Sequence, residues 1–77
     1  MSRSEQPLRA VLVGCGGMSR AWLDAARAIS DLQIVGLVDV VETAAYHRAA
    51  EYNLAQAVVG SDLNKVLDAT APDMVFD

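Results

Sequence analysis

Apolar positions in this chain fall into short unbroken runs, separated by stretches in which they recur at helical spacing. The first run, Ala10, Val11, Leu12 and Val13, is closed by Gly14 and contains no alternating polar residue. It therefore reads as a strand buried on both faces, as in a parallel sheet. From Met18 the spacing changes. Met18, Trp22, Ala25, Ala26 and Ile29 fall on one face of a helix running to about Ser30, and this is the face expected to meet the core. A second buried run, Ile34 to Val38, ends at Asp39. Glu42 to Tyr52 is rich in alanine, with Ala45, Ala49 and Tyr52 at helical spacing, and predicts a second helix ending near Asn53. Ala57, Val58 and Val59 form a short third strand. Ser61 or Asp62 then caps a third helix in which Leu63, Val66, Leu67 and Thr70 share a face, and Pro72 stops it. Met74, Val75 and Phe76 begin a fourth strand.

The order β-α-β-α-β-α-β with short links calls for right-handed crossovers, and so for an α/β fold with an open parallel sheet and helices on both faces. Residues 8–77 form this unit and residues 1–7 a flexible polar tail. In a doubly wound sheet ordered 3-2-1-4-5-6 the chain supplies strands 3, 2, 1 and 4. The fourth is then an apolar edge, open to pairing with another copy.

Composition narrows the possibilities. The 77 residues suffice for one small domain, which buries only roughly 60% of the surface of its unfolded chain. The 53% hydrophobic content is that of a packed interior. Six basic against ten acidic residues give a net charge of −4, and no basic cluster offers a stripe for nucleic acid or an anionic membrane. Cys15 is the single cysteine, which excludes an internal disulfide and a multi-thiolate zinc site. The amino end lacks the apolar stretch of a secretion signal, and no apolar run approaches the ~20 residues of a membrane span. A cytoplasmic protein is the expectation.

The chemistry concentrates at Gly14, Cys15, Gly16, Gly17, Met18 and Ser19, between the first strand and the first helix. This matches G-x-G-x-x-G at its first two glycines, with Ser19 in the third place. Gly14 permits a tight turn, and Gly16, lacking a Cβ, lets backbone approach a pyrophosphate closely. The helix opening here directs unpaired N–H groups and the positive end of its dipole at that phosphate. Ser19 brings a hydroxymethyl group where a glycine would let helix and strand touch, so slightly wider packing is expected, with the hydroxyl bonded to phosphate or to backbone. Asp39 ends the second strand, 20 residues after Ser19, the separation at which a Rossmann-type dinucleotide fold places a carboxylate on the adenine ribose. The same carboxylate would repel a 2′-phosphate, and Val40 and Val41 supply no cation to receive one. NAD is therefore the expected cofactor. The plainer role for Asp39 is that of a helix-capping or loop aspartate.

The run from Arg9 to Trp22, with Val38 and Asp39 at the end of the second strand, resembles the amino-terminal domain of the Gfo/Idh/MocA oxidoreductases. The likeness covers the layout from Leu8 to Asp77, although only the glycine turn and Asp39 are specific. It implies that Gly14, Gly16, Gly17 and Met18 line the pyrophosphate and that Asp39 holds the ribose. In that family such a domain is joined to a larger α/β domain that binds substrate and mediates oligomerisation, and many members act on sugars, inositols or related polyols by hydride transfer. The resemblance thus implies a parent NAD-dependent dehydrogenase whose substrate domain is absent from this chain, which by itself is not expected to catalyse a reaction. The family's catalytic lysine lies in a Glu-Lys-Pro motif after the fifth strand. Lys65, the only lysine here, is in the third helix and matches no part of that motif, so no catalytic residue is assigned.

The remaining reactive side chains have simpler readings. Cys15 occupies the variable place in the turn with no base beside it. His47 and Arg48 lie on the second helix, where His47 reads as solvated, and Trp22 reads as core. Arg20, in the first turn of its helix, either reaches a phosphate or lies plainly on the surface. Two other functions remain open. One is an S-adenosylmethionine-dependent methyltransferase, whose glycine turn looks similar but which carries an acidic residue two places before the first glycine, where Leu12 stands here. The other is a non-catalytic nucleotide-binding or interaction module.

Overall fold

The structure is a computed structural model that describes residues 7–14, 16–29 and 31–76. The expected placements of Cys15, of the tail before Pro7 and of the Met18 side chain lie outside the described residues. Seven elements follow one another: β1 (Leu8–Val13), α1 (Gly17–Arg27), β2 (Leu32–Val38), α2 (Glu42–Glu51), β3 (Val58–Gly60), α3 (Leu63–Thr70) and β4 (Met74–Phe76). The strands form one parallel sheet in the order β3-β2-β1-β4. This is the α/β, partial Rossmann-type doubly wound arrangement that the pattern calls for.

Both faces of the sheet are covered, which is why its central strands carry no polar alternation. On one face Leu12 and Leu37 pack with Leu23 of α1 and with Ala45 and Ala49 of α2. On the other, Val11, Val35 and Val38 pack with Val66 of α3. The register of β1 on β2 breaks in the middle: Ala10 pairs with Ile34 and Val11 with Gly36, leaving Val35 as an extra residue. The bulge turns two successive positions of β2 toward α3. Val35 fills that space and Gly36 carries no side chain.

Helix α1 differs from expectation in the face it buries. Among its described side chains Ser19, Leu23 and Ala26, at spacings of four and three, are buried, whereas Ala25 and Ile29 are exposed and Trp22 is 42% exposed. Trp22 is therefore not core. Its ring stacks on Phe76 of β4, with centroids 5.1 Å apart and planes 11° from parallel. The small Ser19 and Ala26 bracket Leu23 and let the helix lie on the sheet, and a bulky indole suits the flank better. The helix also ends earlier than predicted, at Arg27, where the Ala28 N–H bonds to the Ala25 carbonyl.

The other ends follow local chemistry. Asn53 adopts a left-handed conformation (φ 57°) just after α2, as asparagine tolerates. Asp62 caps α3 by accepting from the Asn64 and Lys65 N–H groups at 3.0 and 3.3 Å. At the other end of α3, Pro72 disfavours a helical Ala71, which turns left-handed (φ 47°). The Arg9 guanidinium covers the last carbonyls there, donating to Thr70 O and, at 3.2 Å, to Ala71 O. Strand β4 forms one edge of the sheet, and Val75 on it is 43% exposed.

Candidate functional site at the carboxyl edge of the sheet

The carboxyl ends of β1, β2 and β3 are stitched together by backbone. The Gly14 N–H donates to Val38 O at 2.7 Å, and the Asp39 N–H donates to Gly60 O at 3.1 Å. Gly14 and Asp39 thus leave neighbouring strands at the same level, because the ladder already pairs Val13 with Val38. Gly14 has φ +88°, a conformation that a side chain would strain, so the turn out of β1 depends on this glycine.

Gly16 serves a different purpose. Its backbone, at φ −79° and ψ −159°, is open to any residue, and a Cβ built on it would meet nothing within 4 Å. Neither conformation nor packing explains a glycine there; its missing side chain leaves backbone open to approach from outside. Gly17 and Met18 follow as the first residues of α1, and the leading N–H groups of any helix have no partner within it.

Ser19 is 1% exposed, and its hydroxyl donates to Gly16 O at 2.6 Å while its N–H donates to the same oxygen at 3.0 Å. Of the two partners expected for that hydroxyl, the structure gives it the backbone. The hydrogen bond satisfies a buried polar group where the motif has its third glycine.

Asp39 is half-buried, and its Oδ1 accepts the Val41 N–H at 2.8 Å. Val41 is the N-cap residue of α2 and offers no capping side chain. The carboxylate therefore has a structural task, folding the chain from β2 into α2 as an Asx turn. That task engages Oδ1.

Beside the glycine turn, Arg20, Thr43, Ala44, His47, Arg48 and Glu51 line an open groove of about 380 Å³ between α1 and α2. Glu51 joins the two helices: its Oε2 lies 3.1 Å from Arg20 Nη2, and its Oε1 accepts from Arg48 Nη1. Arg48 also donates through Nη2 to Gly16 O at 3.3 Å. His47 is exposed, as expected. Arg20 is engaged with Glu51 on the surface. Sequence reasoning missed Arg48, and no local signal marks it, since one arginine on an alanine-rich helix looks like any solvated cation.

A second groove, of about 240 Å³, runs along the end of β3 and is lined by residues including Glu42, Gly60, Ser61 and Lys65. Among the described residues no group of three or more His, Cys, Asp and Glu is placed to hold a metal, and no helix is long and apolar enough to cross a membrane. No protein-family model matches the chain, and neither does any curated protein.

Proposed function

We propose that this chain is the cofactor-binding part of an NAD-dependent oxidoreductase, a dehydrogenase of the Gfo/Idh/MocA kind acting on a sugar, an inositol or a related polyol. The observation that carries the reading is the open space over Gly16, a glycine that neither fold nor packing requires, two residues beyond Gly14, which leaves β1 at the level where Asp39 leaves β2. An elongated ligand with a diphosphate beside a ribose fits that pair. Gly14, Gly16, Gly17 and Met18 would face the diphosphate through backbone, Ser19 would hold the turn from beneath, and Asp39 would accept the ribose hydroxyls. The nicotinamide, when bound, would take or give a hydride. The chain's own residues bind and orient, and acid–base chemistry belongs to other parts of the enzyme.

The test is a titration of the purified chain with NADH, NADPH and S-adenosylmethionine. Energy transfer from Trp22, the only tryptophan, reports NADH and NADPH, and calorimetry reports all three. NADH should bind most tightly, because Asp39 disfavours a 2′-phosphate. A preference for S-adenosylmethionine would move the chain to the methyltransferases, and binding of none of the three would overturn the proposal.

A further inference from the structure

We propose that Arg48 is a positioning residue for the phosphate-facing backbone: from α2 it grips the Gly16 carbonyl and so fixes the direction of the Gly17 N–H. The inference rests on the dinucleotide reading for its purpose, but its geometry stands independently. A peptide unit is planar, and in the trans form its C=O and N–H point in opposite directions; no cis bond occurs among the described residues. The Gly16 carbonyl and the Gly17 N–H belong to one such unit. Whatever holds the oxygen aims the nitrogen.

Among the described residues three donors converge on that oxygen: the Ser19 N–H at 3.0 Å, the Ser19 hydroxyl at 2.6 Å and Arg48 Nη2 at 3.3 Å. The first two come from α1 itself and move with it. Only Arg48 comes from a different element, and it ties the turn to the rest of the fold. Its side chain is 13% exposed, and its Nη1 is anchored on Glu51, which also binds Arg20 of α1. The guanidinium therefore spans Glu51 and the glycine turn as a rigid fork, a task that lysine, with a single nitrogen, performs poorly. The stake is high at this position because three of the four residues from 14 to 17, Gly14, Gly16 and Gly17, have no side chain to restrain the turn. A loose turn would have to be ordered each time a ligand binds. Arg48 removes that requirement in advance, from the side of the peptide opposite the one offered to the phosphate.

The experiment compares the full wild-type chain with Arg48→Met and Arg48→Lys. Two quantities are read: backbone amide exchange at Gly17 and Met18 without ligand, and dissociation constants for NADH and adenosine. Arg48→Met should speed exchange severalfold and weaken NADH about tenfold, with adenosine changed less than about twofold; Arg48→Lys should fall between Met and wild type. If Arg48→Met does not fold, Glu51→Gln, which loosens the fork while leaving the arginine stem packed, should show the same changes in smaller measure. Unchanged amide exchange overturns the inference, including the case where NADH alone weakens and its salt dependence falls, since Arg48 would then be a direct phosphate contact. Faster exchange in a chain that binds no NADH supports the positioning role and overturns the proposed function instead.

Discussion

Gly36 lies directly beneath Val66: a Cβ built on it would stand 2.7 Å from Val66 Cγ1 and 3.0 Å from Val11 Cγ2. The bulge at Val35 brings this position toward α3, and α3 packs so closely that only a hydrogen atom fits. Gly36→Ala should therefore destabilise the chain by about 1–3 kcal/mol through overpacking, although alanine suits a strand better than glycine. Urea unfolding checks the sign. The double variant with Val66→Ala should recover part of the loss, because the two substitutions share one clash; simple additivity would show that the strain lies elsewhere.

Gly16 presents the opposite case, with open space where Gly36 has none. Gly16→Ala should leave unfolding within about 0.5 kcal/mol of wild type, as for an exposed site, yet weaken NADH at least about tenfold by filling the approach to the backbone. Gly14→Ala should instead cost about 1–3 kcal/mol of stability, because its φ of +88° suits only glycine. If Gly16→Ala binds NADH as well as wild type, the open face over Gly16 has no part in recognition.

These contrasts mark how far the sequence could be read. Unbroken apolar runs at Ala10–Val13 and Ile34–Val38 were enough to predict central parallel strands, and Asp62 and Pro72 bounded α3 by capping and steric chemistry that acts over a few residues. The buried face of α1 was not legible. Trp22 and Ile29 are more hydrophobic than Ser19, but burial there follows helix-to-sheet fit, which selected the stripe of Ser19, Leu23 and Ala26. The bulge at Val35 was equally hidden, since an all-apolar strand gives no alternation from which a slipped register could be seen. At the candidate site, spacing was enough to place Gly14 and Asp39 at the ends of adjacent strands. The contact of Arg48 with Gly16, spanning 32 residues, depends on how α2 packs beside α1.

Tyr52 supplies a pH prediction. Its hydroxyl donates to Asp24 Oδ1 at 2.9 Å, and the Arg27 guanidinium lies 4.7 Å from its ring centroid. Partial burial, and then the bond to Asp24 with the negative charges of Asp24 and Glu51, raise its pKa above the ordinary 10.0, against a smaller lowering by Arg27. A group whose pKa is raised on folding contributes stability that is intact below its unfolded pKa and is lost as pH rises through the folded value. The advantage of wild type over Tyr52→Phe should therefore be constant up to about pH 10 and shrink above it. Thermal unfolding of both chains from pH 8 to 11 measures this, and a gap that widens above pH 10 would contradict it.

Asp39 has a turn task and, under the proposed function, a second task at the ribose, and one substitution can separate them. Its Oδ1 accepts the Val41 N–H and turns the chain into α2, a task that needs an oxygen but not a charge. Ribose recognition needs the charge as well, because an ionised acceptor roughly doubles the strength of a hydrogen bond and an amide offers one oxygen instead of two. Asp39→Asn should therefore keep the unfolding midpoint close to wild type while weakening NADH by about 1–3 kcal/mol, and it should narrow or reverse the preference over NADPH by removing the like charge. Asp39→Ala should lose the same affinity and, with the turn's acceptor gone, about 0.5–2 kcal/mol of stability in addition. Calorimetric titration alongside thermal unfolding distinguishes the tasks. An asparagine variant that binds NADH like wild type, while the alanine variant merely unfolds earlier, would reduce Asp39 to the turn residue that its bond to Val41 already makes it.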